Sequence, residues 1–148
     1  MANELIKNLS FKSLNKFNDS YEYKDFFNCD FTETKLDGTI FEDCNFQNCV
    51  FSKTSLYKTK FINCQFDSCL LSNLVVNFDT EFINCNIKTV KLKYHLGILY
   101  NNFLEINCMK FPYKYWTKNY KNLGEEASLT PEESEEYYNK CITAFGMP

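Results

Sequence analysis

Phe41–Lys60 reads FEDCNFQNCVFSKTSLYKTK, and the next twenty residues, Phe61–Thr80, read FINCQFDSCLLSNLVVNFDT. A large apolar residue stands at every fifth position: Phe41, Phe46, Phe51, Leu56, Phe61, Phe66, Leu71 and Val76. The same column runs back through Leu36, Phe31 and Phe26. Two residues before most of them is a small residue, Cys or Thr. A period of five fits neither the 3.6 of a helix nor the 2 of a strand. It requires a chain that turns a corner every five residues, so that equivalent side chains return to one axis.

Stacking the chain in rows of twenty reveals a longer repeat. Cys44, Cys64 and Cys85 form one column; Cys29, Cys49, Cys69 and Val90 form the next. Thr34, Thr54 and Leu74 make a third, and Thr39, Thr59 and Thr80 a fourth. Four five-residue units thus complete one lap. One extra residue falls in Asn77–Glu81, after which the large positions continue as Phe82, Ile87 and Leu92.

Units such as Cys29-Asp30-Phe31, Cys44-Asn45-Phe46 and Cys64-Gln65-Phe66 resemble the pentapeptide-repeat family, whose unit is written A(D/N)LXX. The middle position departs from that pattern at Lys35, Ile40, Val50 and Leu70, and Leu74 is large for a small position. The resemblance covers roughly Phe26 to Leu92. It implies an all-β solenoid: a right-handed quadrilateral β-helix whose small and large residues point inward while the other three positions face outward. Laps stacked at about 4.8 Å give about 3.5 coils and a length of roughly 17 Å. The expected organisation is an N-terminal cap at 1–20, the β-helix at 21–94 and an α-helical C-terminal cap at 95–148, together one compact domain.

Eight cysteines raise disulfide and zinc readings. Six of them (Cys29, Cys44, Cys49, Cys64, Cys69 and Cys85) fall on the small inward position, no CxxC occurs, and His95 is the single histidine. Parallel side chains at the lap spacing make poor disulfide geometry. They are read as small apolar core residues, a use that implies a reducing compartment. Cys108 and Cys141 lie outside the repeat.

The ends must cover the stack. Leu5, Leu9, Phe11, Leu14 and Phe17 suggest a short helix or an irregular first lap over Asn3–Phe17. Tyr94–Phe111 is apolar and reads as a strand or short helix. A helix is predicted from Pro112 to Leu123, stopping at Gly124. A second follows, with Thr130 as N-cap, Pro131 in the first turn, Glu133 completing a capping box and Gly146 at the end. Tyr138, Cys141, Ile142 and Phe145 fall on its apolar face. That face is expected to cover the last lap or to meet a second copy of the chain. Association through C-terminal ends is also what the family resemblance implies.

The functional classes narrow by exclusion. All 16 basic residues are Lys, so the residue best suited to bidentate base or phosphate recognition is absent. One His, no Arg, no GxSxG and four scattered Gly leave no defensible nucleophile–base pair or phosphate loop. No catalytic residue, metal or cofactor is expected, and the chain is not read as an enzyme. No apolar run reaches membrane-span length and Met1–Ser10 lacks a signal-peptide pattern, so a cytoplasmic protein is expected. The reading is a scaffold for an unidentified protein partner, or for its own copy as a homodimer.

Two alternatives remain. From Tyr21 to Asp43, seven acidic residues (Glu22, Asp25, Asp30, Glu33, Asp37, Glu42, Asp43) outnumber Lys24 and Lys35. The resemblance extends to family members that imitate duplex DNA and protect gyrase from quinolones. Against that stand the short coil and Lys53, Lys58, Lys60, Lys88, Lys91 and Lys93 on later laps. Lys110, Lys114, Lys118 and Lys121, interleaved with Tyr115 and Trp116, suggest weak single-strand binding by charge and stacking.

Overall fold

The structure, a computed structural model, describes residues 2–148 and divides into two compact units, Met1–Ile87 and Lys88–Pro148.

The first unit is a β-solenoid of about four laps. Strands stack in parallel with a shift of twenty residues: Phe26 pairs with Phe46 and Phe46 with Phe66 on one wall. Tyr21, Phe41, Phe61 and Phe82 follow each other on another. The extra residue in 77–81 sits in a turn, where Thr80 N–H donates to the Asn77 carbonyl, so the shift becomes 21 between Phe61 and Phe82.

Aromatic rings fill the hollow. Phe46 stacks face to face on Phe26 at 5.0 Å and under Phe66 at 4.9 Å, and meets Phe41 and Phe51 edge-on. Rings in one column stack because the backbone ladder fixes their separation. Rings on neighbouring walls meet at the corner and adopt the edge-to-face geometry that their quadrupoles favour.

The small inward residues do more than fill space. Thr54 Oγ1 donates to the Phe31 carbonyl at 2.7 Å, and Thr59 Oγ1 to the Leu36 carbonyl at 2.8 Å. The cysteines use the same geometry: Cys49 Sγ donates to the Phe26 carbonyl and Cys64 Sγ to the Phe41 carbonyl, each at 3.4 Å. In all four the acceptor lies 23 residues back, on the lap below. Across the extra residue the reach becomes 24, as in Thr80 to Leu56. Thiol and hydroxyl are interchangeable here because both are short donors.

The structure departs from the sequence-based expectation in three places. First, of the helix or irregular lap expected over Asn3–Phe17, the lap is what forms, and it is regular rather than irregular: Glu4–Lys7 pairs with Lys24–Phe27, Phe11 stacks on Phe31 at 4.9 Å and Tyr21 on Phe41 at 5.1 Å. Its weak sequence signal has a cause, since Lys16 takes a large inward position and Leu9 and Leu14 take small ones. Second, the five-residue frame reads on through Val90 and Leu92, but Lys88–Lys91 pairs antiparallel with Leu96–Tyr100 and belongs to the second unit. Third, Tyr94–Phe111 is not one element. Leu96–Tyr100, Phe103–Ile106 and Met109–Pro112 form a meander on Lys88–Lys91.

Both tight turns of that meander have two consecutive positive-φ residues, Asn101-Asn102 and Asn107-Cys108. This is the hairpin geometry that Asn tolerates best. Two helices follow: α1 (Tyr113–Glu126), kinked at Asn119, and α2 (Pro131–Phe145), whose Thr130 capping box is formed on both sides. Helix α1 runs through Gly124 rather than stopping there. That glycine is a contact point, since a Cβ on it would lie 1.9 Å from Ser134 Oγ. The second unit has its own core of Leu92, Leu104, Tyr113, Trp116, Tyr137 and Cys141.

Candidate functional site

The inward positions of the coil carry structure, not chemistry. Phe26, Phe31, Leu36, Phe41, Phe46, Phe51, Leu56, Phe61, Phe66, Leu71 and Ile87 are buried, while Val76 and Phe82 are half-buried. Among the small positions, Cys29, Thr34, Thr39, Cys44, Cys49, Thr54, Thr59, Cys64, Leu74 and Thr80 are buried; Cys69 and Cys85 are half-buried. Stacked neighbours and burial raise the Cys64 and Cys49 thiols well above their ordinary range, which keeps them protonated and unreactive.

Outward positions are therefore the candidate surface, and the seven carboxylates of the first laps divide by wall. Asp25 accepts from the side-chain amides of Asn3 and Asn45, each at 2.8 Å. Asp30 accepts from the Thr32 hydroxyl and amide, which lowers its pKa. Asp37 accepts from Ser55 Oγ at 2.6 Å. These three tie neighbouring residues together. Glu33 faces out on a different wall from Glu22, Glu42 and Asp43.

The wall built from Ser20–Glu22, Ile40–Glu42, Lys60–Ile62 and Glu81–Ile83 has the most organised surface. Its outer column runs Glu22, Glu42, Ile62, Ile83 in register. Beside it runs Ser20, Ile40, Lys60, Glu81. Tyr23 and Asp43 stand at its corner, both with positive φ, and the carboxylates of Glu22 and Asp43 raise the Tyr23 phenol pKa. The outer column is thus acidic across its first two strands and apolar across the next two. Ile83 in that column and Ile40 beside it are about two-fifths exposed.

Every fifth residue at the corners also has positive φ, among them Asn8, Asn18, Asn28, Asn48, Asn63, Asn73 and Asn84. The five-residue frame by itself places these only as outward residues. The signal that marks them is Asn two places after the large residue, because Asn enters the left-handed region at lower cost than most residues.

The four expected interface residues differ in burial. Cys141 is fully buried in the core of the second unit, and Tyr138, Ile142 and Phe145 pack against that same core. Cys141 is therefore unavailable to a second copy, while Tyr138, Ile142 and Phe145 keep part of their surface open. Trp116 is likewise interior, stacked on Tyr113, which leaves Tyr115, about half exposed, as the open ring among the lysines of the Lys110–Lys121 segment. Among the described residues no three His, Cys, Asp or Glu side chains converge to hold a metal ion, and no helix is long and apolar enough to cross a membrane.

Residues 25–61 and 41–73 match, in eight copies, the family described as Pentapeptide repeats. This segment is a pentapeptide-repeat coil. No curated protein matches the chain significantly. Two structures of QnrB1, described as a plasmid-mediated fluoroquinolone resistance protein, are similar at 22% identity and TM-score 0.43. They match 57% of this chain, which spans only about half of theirs (54% and 53%). Rfr23, a pentapeptide repeat protein from the cyanobacterium Cyanothece 51142, is similar at 9% identity and TM-score 0.34, over 57% of this chain and 80% of its own.

Proposed function

We propose that the pentapeptide-repeat coil is a non-catalytic platform that binds another protein through the Glu22–Ile83 wall. The observation that carries this is the register of that wall, which sets Glu22 and Glu42 side by side and then Ile62 and Ile83. A flat, rigid surface with an apolar half and an acidic half suits a partner with an apolar patch bordered by basic residues. Apolar contact supplies the affinity and charge sets the orientation. Inward groups are committed to the ladder, so the walls alone are open to recognition.

The test uses two variants. Glu42→Lys combined with Ile83→Asp alters only outward positions and is expected to leave the unfolding midpoint unchanged, as surface substitutions do. Partner recovery from native extract is expected to fall for this variant and to persist for Gln47→Lys on a neighbouring wall. Equal recovery with both variants rejects the wall as the binding surface.

The DNA-imitating alternative is weaker. Three of the seven carboxylates are engaged in holding neighbouring residues, and the remaining four are split between walls, so no continuous acidic stripe forms. A gyrase supercoiling assay separates the two readings, because inhibition or drug protection by the purified chain would favour imitation.

A further inference from the structure

Among the described residues, the second unit holds one buried hydroxyl with no partner. Ser134 is 3% exposed, and nothing described hydrogen-bonds its Oγ. The usual escape for a helical serine is a bond to the carbonyl four residues back. Ser134 does not make that second bond to the Thr130 carbonyl, which accepts only its amide, at 2.9 Å. Leaving a hydroxyl dry and unpaired costs stability. Yet the local sequence brings the chain in close around it: the facing residue on α1 is Gly124, where even a methyl group would collide with Oγ.

The hydroxyl faces a cavity of about 20 Å³. Most of its wall is apolar, from Ile106, Trp116 and Leu123, but His95, Asn107 and Tyr137 also line it. His95 Nδ1 lies 3.0 Å from the Tyr137 hydroxyl, which commits one ring nitrogen and leaves the other for a further bond. A cavity needs roughly 10–15 Å³ and two to four polar partners to hold one water. This one meets both conditions.

We propose that the cavity is a specific hydration site, in which one water bridges Ser134 Oγ on α2 to the His95–Tyr137 pair. The site is independent of the platform reading, which concerns the other unit. It ties α2 to the His95 segment through a molecule that both donates and accepts, so either tautomer of His95 can serve it. Water in such a site is a structural component rather than solvent, and its loss loosens the helix that it anchors.

Ser134→Ala in the full chain gives a diagnostic sign. Ala is the better helix former, so removal of a dry, unpaired hydroxyl raises Tm. Removal of a hydroxyl that holds a bridging water lowers Tm, and the expected fall is roughly 4–8 °C, the scale of a modest loss in a small unit. Asn139→Ala, at an exposed position of the same helix, reports the propensity gain alone. A high-resolution crystal structure is expected to show density at hydrogen-bond distance from Ser134 Oγ. A Tm for Ser134→Ala at or above that of Asn139→Ala overturns the proposal, as does a cavity without density.

Discussion

Phe46→Ala is the most direct test of the stacked-ring interior. Phe46 is 1% exposed and is enclosed by aromatic rings. Phe26 and Phe66 stack on it, at 5.0 and 4.9 Å, and Phe31, Phe41, Phe51 and Phe61 meet it edge-on between 5.3 and 6.2 Å. Truncating a buried Phe costs about 3–5 kcal/mol, and the cost rises where the site cannot collapse. Collapse is blocked here because backbone ladders set the spacing of the laps: Asn28 N–H donates to the Gln47 carbonyl at 2.9 Å and Asn48 N–H to the Asp67 carbonyl at 3.0 Å. The expected loss is therefore at the upper end, about 5 kcal/mol. Phe82 provides the internal comparison. It is half-buried, stacks on Phe61 and meets Phe66 edge-on at 6.0 Å, so Phe82→Ala is expected to cost about 2 kcal/mol. Urea unfolding of both variants, followed by far-UV circular dichroism, measures the difference. Equal losses, or a Phe46→Ala loss below about 2 kcal/mol, would refute the claim that fixed laps prevent the void from closing.

The other predictions follow from single bonds, torsions and protons. Thr54→Val keeps the shape but removes one of the two donors to the Phe31 carbonyl, which still accepts from the Thr34 amide, at an expected cost of about 1 kcal/mol in chemical denaturation, whereas Cys64→Ser keeps a donor and is expected to cost less. Asn48 has φ 53°, so Asn48→Gly is expected to be nearly neutral and Asn48→Ala to lose about 1 kcal/mol in the same assay. Burial pushes the Cys141 thiol up from 9.0 to about 12, so the folded chain holds a proton that the unfolded chain releases. The resulting stability is complete below pH 9 and disappears as pH rises toward 12, at up to about 1.4 kcal/mol per pH unit. Tyr113, pushed up to about 12 mainly by burial, adds a loss of the same sign above pH 10. Unfolding midpoints of Cys141→Ala followed from about pH 8 to 11, across that window, are expected to show a shallower slope than those of the native chain.

The coil was legible because its signal is a period, and periods survive individual exceptions. Phe26 to Leu71 could be placed without coordinates, since large residues spaced by five match neither a helix face nor a strand face. The first lap was hidden by composition: Lys16 at a large inward position and Leu14 at a small one break the pattern while the backbone continues it. The far end misled for the opposite reason. Val90 and Leu92 keep the spacing, but spacing alone does not distinguish parallel stacking from the antiparallel pairing that the chain adopts there. The Asn101-Asn102 and Asn107-Cys108 turns contained the missing information. Gly124 reads as a stop because glycine ends many helices, whereas here it makes room for Ser134 on the neighbouring helix. A local pattern around Gly124 carries no trace of that neighbour. On the candidate wall, the residue types were visible but their adjacency was not: Glu22, Glu42, Ile62 and Ile83 become a surface only once the twenty-residue register is known.

The rule that each inward thiol or hydroxyl serves the lap beneath it has a consequence for inheritance. A duplicated or deleted stretch of twenty residues would recreate every donor–acceptor match across the splice. Gene length is thereby decoupled from foldability, and the height of such a tower can drift until a binding partner selects it. Among the described residues of the coil, the supernumerary residue before Phe82 marks where that modular arithmetic was broken and tolerated.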